Sequence, residues 1–258
     1  MNRREFILGG TACAMLPSFG SAKLNEYSAN LDKFNAELQD LIEFSKTCTI
    51  CNVEEGLVNF NPRPYQIEYF KNILESKHLV CRKCRQCGAT MMNLIYAHWM
   101  AERHPEKKVV LVFNTYNTIK YEKAKFNTMF YDDPSKWGPR SVGFTTYDDF
   151  CQTFSKIPGP GKYGKYPLYS SEYLNADTVI LFDEYAFAAG ILTYGKIFGL
   201  LDSPKTIWTS TPFAANDVLW GSGKTEGEVV RMKITGDQVF SAERISDLKH
   251  CLDETHFK

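Results

Sequence analysis

From about residue 78 to residue 213 the chain alternates two patterns. Short, wholly apolar runs are separated by longer segments in which apolar residues recur every three or four positions. The runs "HLVC" (78–81), "KKVVLVF" (107–113), "SVGFTTY" (141–147), "DTVILFDEYAF" (177–187) and "KTIWTSTPF" (205–213) predict strands. Ahead of the first run, Tyr65, Ile67, Phe70, Ile73 and Leu74 form a helical face behind Pro64, a residue suited to a first helical turn. "MMNLIYAHWMAER" (91–103) predicts a helix that stops before Pro105, and "YEKAKFNTMFY" (121–131) predicts another. Ahead of these, Leu31, Phe34, Leu38, Leu41 and Ile42 have helical spacing within 23–46, a helix expected to pack on the core. "GPGKYGKYP" (159–167) is a glycine- and lysine-rich loop.

Strands that are apolar on both faces and alternate with helices predict an α/β fold, a mostly parallel sheet covered by helices on both faces. In open parallel sheets the ligand site lies beyond the carboxyl ends of the strands. Three polar clusters fall on such ends: Lys83 to Thr90, Asp183 with Glu184, and Thr209 to Thr211.

The overall charge adds little. Lys plus Arg and Asp plus Glu are equal at 30 each, so a nucleic-acid surface would have to be a local patch. The lysines of the 159–167 loop (Lys162, Lys165) and of the 118–125 segment (Lys120, Lys123, Lys125) are the candidates. No apolar run reaches the roughly 20 residues of a membrane span, so no membrane partner is expected. Residues 1–22, with Arg3 and Arg4 before an apolar run and small residues, have the pattern of a twin-arginine export signal.

The chemistry-bearing stretch is "CRKCRQCGAT" (81–90). A strand, then a turn with Gly88, then Thr90 at a helix start offers backbone N–H groups and a positive dipole to phosphate oxygens. Thr90 can ligate Mg2+ through its hydroxyl. The residue before Thr90, where a phosphate loop usually carries lysine, is Ala89. In "VILFDEYAF", an apolar strand ends in adjacent acids. That suits Asp183 to hold Mg2+ and Glu184 to orient and deprotonate an attacking water. A rival reading comes from the cysteines. Cys48 and Cys51 form one CxxC pair, Cys81 and Cys84 another, and Cys87 follows. Two such pairs are a zinc or iron–sulfur pattern. His98, on an otherwise apolar helix, reads as a core residue.

Taken in order, four stretches resemble the ATPase domain of the phage terminase large subunit, a DNA-packaging motor with a P-loop (RecA/ASCE-like) fold. "RPYQ" (63–66) resembles its adenine-reading motif, which implies that Gln66 contacts adenine. "KCRQCGAT" (83–90) resembles its variant phosphate loop, in which the lysine stands at the front. By that resemblance Lys83 takes the place of the missing lysine, Arg85 stabilises the transferring phosphoryl group, and Gly88, Ala89 and Thr90 line the nucleotide. "VILFDEYAF" resembles the Walker B strand, with Asp183 on the metal and Glu184 as catalytic base. "TSTPF" (209–213) resembles the coupling motif and implicates Thr209, Ser210 and Thr211. The resemblance covers about residues 48–215. It implies ATP and Mg2+ as cofactors, and double-stranded DNA, a homo-oligomeric ring and a phage portal as partners. It also implies a cytoplasmic location in the host cell, against which the export-like start stands as the alternative. The expected organisation is a signal-like segment over 1–22, a helical lead-in over 23–55 and a P-loop ATPase domain over 56–258, with the family's nuclease domain absent. A helicase-like translocase is a further alternative, since it would share the adenine motif, the phosphate loop and the acidic pair.

Overall fold

The computed structural model describes residues 19–52, 56–130, 141–154, 177–188, 204–211 and 229–241. The export-like segment up to residue 18 and the 159–167 loop with Lys162 and Lys165 lie outside them.

The chain divides into two compact units with a boundary between Glu37 and Leu38. Helix α1 (Phe19–Thr47) crosses that boundary. Within the second unit, its last turns enter the core through Leu41 and Phe44. Beyond it, β1 (Thr49–Asn52) and β2 (Gly56–Asn59) form an antiparallel hairpin that the apolar pattern did not predict. Strands of four residues carry too little periodicity to register.

Next come α2 (Pro64–Glu75), β3 (His78–Lys83), α3 (Ala89–Arg103), β4 (Lys108–Phe113), α4 (Tyr116–Phe130), β5 (Val142–Thr146) and α5 (Tyr147–Phe154). After them, β6 (Thr178–Asp183) runs into a single 3-10 turn over Tyr185–Ala188, and β7 (Lys205–Ser210), β8 (Val229–Ile234) and the short α6 (Gly236–Val239) follow. Among the described residues, six strands make one sheet in the order β5-β4-β6-β7-β3-β8. All five of its neighbour pairings are parallel, as expected from strands that are apolar on both faces. Strands β4 and β6 are buried almost throughout. Phe182 of β6 and Trp208 of β7 stack across the sheet with ring centroids 3.6 Å apart. Such a pair contributes about 0.5–1.5 kcal/mol beyond the area it buries.

Two details of this order place the site. β3 runs two residues further than "HLVC" suggested, so Lys83 is the last residue of a strand and not part of the loop. β7 lies between β3 and β6, with Cys81 opposite Thr209 and Thr209 opposite Asp183. The ends of three strands therefore bring Lys83, Thr209 to Thr211, and Asp183 with Glu184 to one edge of the sheet.

Candidate nucleotide site

Lys83 is buried, 6 % exposed, which is unusual for a lysine without a partner. It has one: its Nζ is ion-paired with Glu184 Oε1. Burial pulls the Lys83 ammonium down, but the carboxylates of Asp183 and Glu184 outweigh it and hold the pKa above the ordinary lysine value. Lys83 is thus the fixed positive charge of the strand edge. Ala89 is closed into the apolar core, so the usual lysine position is occupied by a packed methyl group.

The loop from Cys84 to Gly88 is shaped by its backbone. Cys84 N–H donates to the Ile234 carbonyl at 2.9 Å and ties the end of β3 to β8. Gln86 has φ +62° and Gly88 φ +78°, both left-handed. At Gly88 only glycine fits, because a Cβ there would also stand 3.1 Å from Gln66 Nε2. α3 starts at Ala89, and its first amides belong to the set that an α-helix cannot pair internally. Its 15 residues give the start a positive dipole, so the turn and the helix end together suit an anion.

Thr90 Oγ1 donates to Asp183 Oδ2 at 2.9 Å, and Thr209 Oγ1 lies 3.0 Å from Asp183 Oδ1. Burial pushes the Asp183 carboxyl up to about 6, aided by Glu184 and opposed by Lys83, Thr90 and Thr209. A hydroxyl and a carboxylate in contact, both hard oxygen donors, fit Mg2+. The buried carboxylate with a raised pKa is a further sign that this position suits a cation.

Glu184 sits at φ +53°, a conformation that costs a non-glycine residue about 1–3 kcal/mol and tends to occur at functional sites. The surroundings hold it there. Thr211 N–H donates to Oε2 at 2.9 Å, Ser210 Oγ is 3.3 Å from Oε2, and Thr211 Oγ1 is 3.3 Å from Oε1. Asn114 Nδ2 reaches the Glu184 carbonyl at 3.4 Å. Burial alone would raise the Glu184 pKa, but Lys83, the Thr211 amide and Ser210 keep it below the ordinary value. The carboxylate is ionised at neutral pH.

Of the residues singled out from sequence, the structure brings together Lys83, Thr90, Asp183, Glu184, Thr209, Ser210 and Thr211. Gln66 lies beneath the loop and is buried. Its Oε1 accepts from Arg63 N–H at 2.9 Å and its Nε2 reaches the Cys87 carbonyl at 3.4 Å, beside Tyr65 OH on the same carbonyl at 3.0 Å. In this state Gln66 supports the loop. Arg85 is exposed at the turn. Among the described residues no group of three or more His, Cys, Asp or Glu is arranged to hold a metal ion, so the CxxC stretches do not converge on one. His98 is buried between Phe44 and Phe126, and burial lowers its pKa to about 4.

Sequence reading missed Asn93. It is 1 % exposed, accepts from Tyr69 OH at 2.6 Å and donates to Thr209 Oγ1 at 3.3 Å. The chain Tyr69–Asn93–Thr209–Asp183 links α2 and α3 to the acidic pair. Its signal was present in the sequence: Asn93 is the one polar residue in "MMNLIYA", three positions after Thr90. Asn93→Leu strands the buried Tyr69 hydroxyl and is expected to cost about 1–3 kcal/mol in urea unfolding. Adding Tyr69→Phe should recover part of that loss. If the double variant is no more stable than Asn93→Leu, the buried network is not what stabilises this contact.

No protein-family model matches the sequence, and no curated protein matches it. Solved structures do. The large terminase ATPase domain of Thermus phage P74-26 is similar over 77 % of this chain and 91 % of its own, at 12 % identity and TM-score 0.50. A point mutant of the same domain gives 13 % identity and TM-score 0.48 over 77 % and 92 %. The helicase domain of Pyrococcus furiosus Hef gives 15 % identity and TM-score 0.45 over 69 % of this chain and 40 % of its own. At these identities the likeness concerns the fold, and the chain has the fold of a P-loop ATPase, with the terminase ATPase domain among its structural neighbours.

Proposed function

We propose that the chain hydrolyses ATP with Mg2+ and that hydrolysis drives movement of double-stranded DNA, as a terminase-like packaging motor domain. The observation that carries this reading is the meeting of Lys83, Thr90, Asp183 and Glu184 at one sheet edge, beside a left-handed glycine and a helix start. Gly88, Ala89 and Thr90 would line the phosphates, Thr90 and Asp183 would hold Mg2+, and Gln66 and Arg85 would serve adenine and the transferring phosphoryl group. When bound, Mg2+ neutralises phosphate charge. Lys83 is the nearby ammonium, a compact charge suited to phosphate. Glu184 is the general base, aimed by Ser210 and Thr211 of β7 and its end. Those contacts join the base to the segment proposed to couple hydrolysis to movement. Exposed Lys120 and half-buried Lys123 on α4 are the described candidates for DNA, whereas Lys125 is paired with Glu122 at 3.0 Å and lies over the Tyr121 ring. A homo-oligomeric ring on a phage portal and a cytoplasmic location belong to the same proposal.

The test is phosphate release from Mg-ATP by the purified chain, with and without double-stranded DNA. Turnover stimulated by DNA supports the reading. A chain that binds no ATP sinks it, and turnover indifferent to DNA removes the motor part.

Asp183 gives a pH test with a thermodynamic readout. A carboxyl whose pKa is raised from 3.8 to about 6 on folding contributes stability that is complete below about pH 4 and is lost as pH rises through 6. Ionised Asp183 is therefore a strain that Mg2+ relieves. The rise in Tm on adding Mg2+ should be larger at pH 8 than at pH 5, where a proton competes for the same oxygen. Equal increments at both pH values would remove Asp183 from the metal site.

A further inference from the structure

The thiols left out of the nucleotide chemistry lie in the same loop. "CRKCRQC" contains two overlapping CxxC spacings, and the fold separates them. Cys81 is within β3 and Cys84 directly follows that strand. Along an extended chain residues three apart point to opposite faces, so Cys81 and Cys84 are not a pair. Cys84 and Cys87 are joined instead by a turn, with Gln86 left-handed between them. Arg85 and Gln86 form a single turn between them, which brings the two ends of this CxxC together, as a disulfide across the loop requires. Cys84 is partly exposed and Cys87 is buried, and both are free thiols.

We propose that Cys84 and Cys87 are a reversible modification site: a dithiol that exchanges with a small disulfide such as oxidised glutathione, closing a disulfide across the loop that weakens nucleotide binding. The second half rests on the nucleotide reading above. The exchange begins with the exposed thiol. The neighbouring Cys87 thiol, with the help of the Cys84 amide and the Lys83 charge, outweighs partial burial and holds the Cys84 thiol below its ordinary pKa. The same neighbour, with burial, holds Cys87 protonated. The Cys84 thiolate attacks one sulfur of the small disulfide; that S–S bond breaks and one small thiolate leaves. Cys87 then gives its proton to solvent and attacks the Cys84 sulfur, forming the loop disulfide and releasing the second small thiolate. Two protein thiols are oxidised and one small disulfide is reduced to two thiols.

The effect on binding follows from where Cys87 sits. Cys87 stands two residues before Ala89, the first residue of α3, and next to the left-handed Gly88. The Cys87 carbonyl is already held by Tyr65 and Gln66, so this residue has little room to move as the turn is cross-linked. A disulfide locks the turn in one form directly before the first amides of α3. Phosphate would need those amides and a loop free to close on it.

The test uses the full chain in dithiothreitol or in excess oxidised glutathione. Peptide mass mapping locates the disulfide, and a fluorescent ATP analogue with Mg2+ reports binding. The expected result is a Cys84–Cys87 disulfide in most molecules, nucleotide affinity down by about tenfold or more, and recovery in dithiothreitol. Cys84→Ser should show no response of its affinity to the oxidant. A Cys81–Cys87 bridge, or glutathione adducts that never close, overturns the pairing. A complete Cys84–Cys87 disulfide with unchanged affinity overturns the inhibition. If the reduced chain binds no nucleotide, the nucleotide reading falls and takes the inhibitory half with it, while the mapped disulfide decides the thiol pair independently.

Discussion

Lys83→Ala is expected to lower turnover by on the order of 100- to 1,000-fold, the range seen when one preorganised electrostatic group is removed from a reacting centre. Among the described residues the site holds no substitute nearby. Ala89, the usual lysine position, is apolar and closed, and Arg85 points outward from the turn. The substitution also leaves Asp183 and Glu184 next to each other without their shared cation. Their mutual repulsion and burial are then opposed only by the hydroxyl and amide contacts, and both carboxyls titrate higher. Glu184 is still about 30 % exposed, so the stability cost should be nearer 1–3 kcal/mol than the larger values of fully buried pairs. Lys83→Arg keeps the charge and should restore stability more than turnover, because a planar fork does not replace a compact ammonium in a tight loop. ATP turnover at saturating Mg2+, paired with urea unfolding, separates the two effects. Wild-type turnover in Lys83→Ala would mean that the ammonium serves the fold alone.

Much of this site was legible because it depends on period and punctuation. Five apolar runs gave five of the six strands of the sheet, and their polar ends gave the acids, the loop and the Thr-Ser-Thr turn. What escaped depends on pairing between distant segments. β8 (Val229–Ile234) is an edge strand with an intermediate or exposed residue at every second or third place, and its sequence carries no uniform apolar run. The extension of β3 to Lys83 is a consequence of β8, whose Ile234 pairs with Lys83 and whose carbonyl there receives the Cys84 amide. Sequence alone ended the strand at Cys81 and placed Lys83 at the front of the phosphate loop; the parallel neighbour converts Arg82 and Lys83 to strand. The burial of Lys83 is likewise set by acids a hundred residues away. Periodicity specifies a face and leaves open what packs on it.

Glu184→Gln should leave nucleotide binding nearly intact and reduce turnover by about 100- to 10,000-fold, the contribution of a well-placed general base. The amide is isosteric, so its oxygen can still accept from Thr211 N–H and its NH2 adds no bulk. The left-handed backbone at this position is equally open to glutamine, and the contact from Asn114 is to the main chain. What is lost is the ability to take a proton, together with one of the two negative charges facing Lys83. Losing that charge frees the ammonium for phosphate, so affinity for ATP should hold or rise while hydrolysis stops. The contrasting change is Asp183→Asn, which removes the proposed Mg2+ ligand and should weaken Mg-ATP binding itself. Affinity is read by titration with a fluorescent analogue and turnover by single-cycle phosphate release, so that a slow product step cannot hide the chemical one. If Glu184→Gln turns over like wild type, the acid at the end of β6 does not activate water. If it loses binding as well, Glu184 belongs to the architecture of the edge, holding Lys83 and the turn after β7 in place.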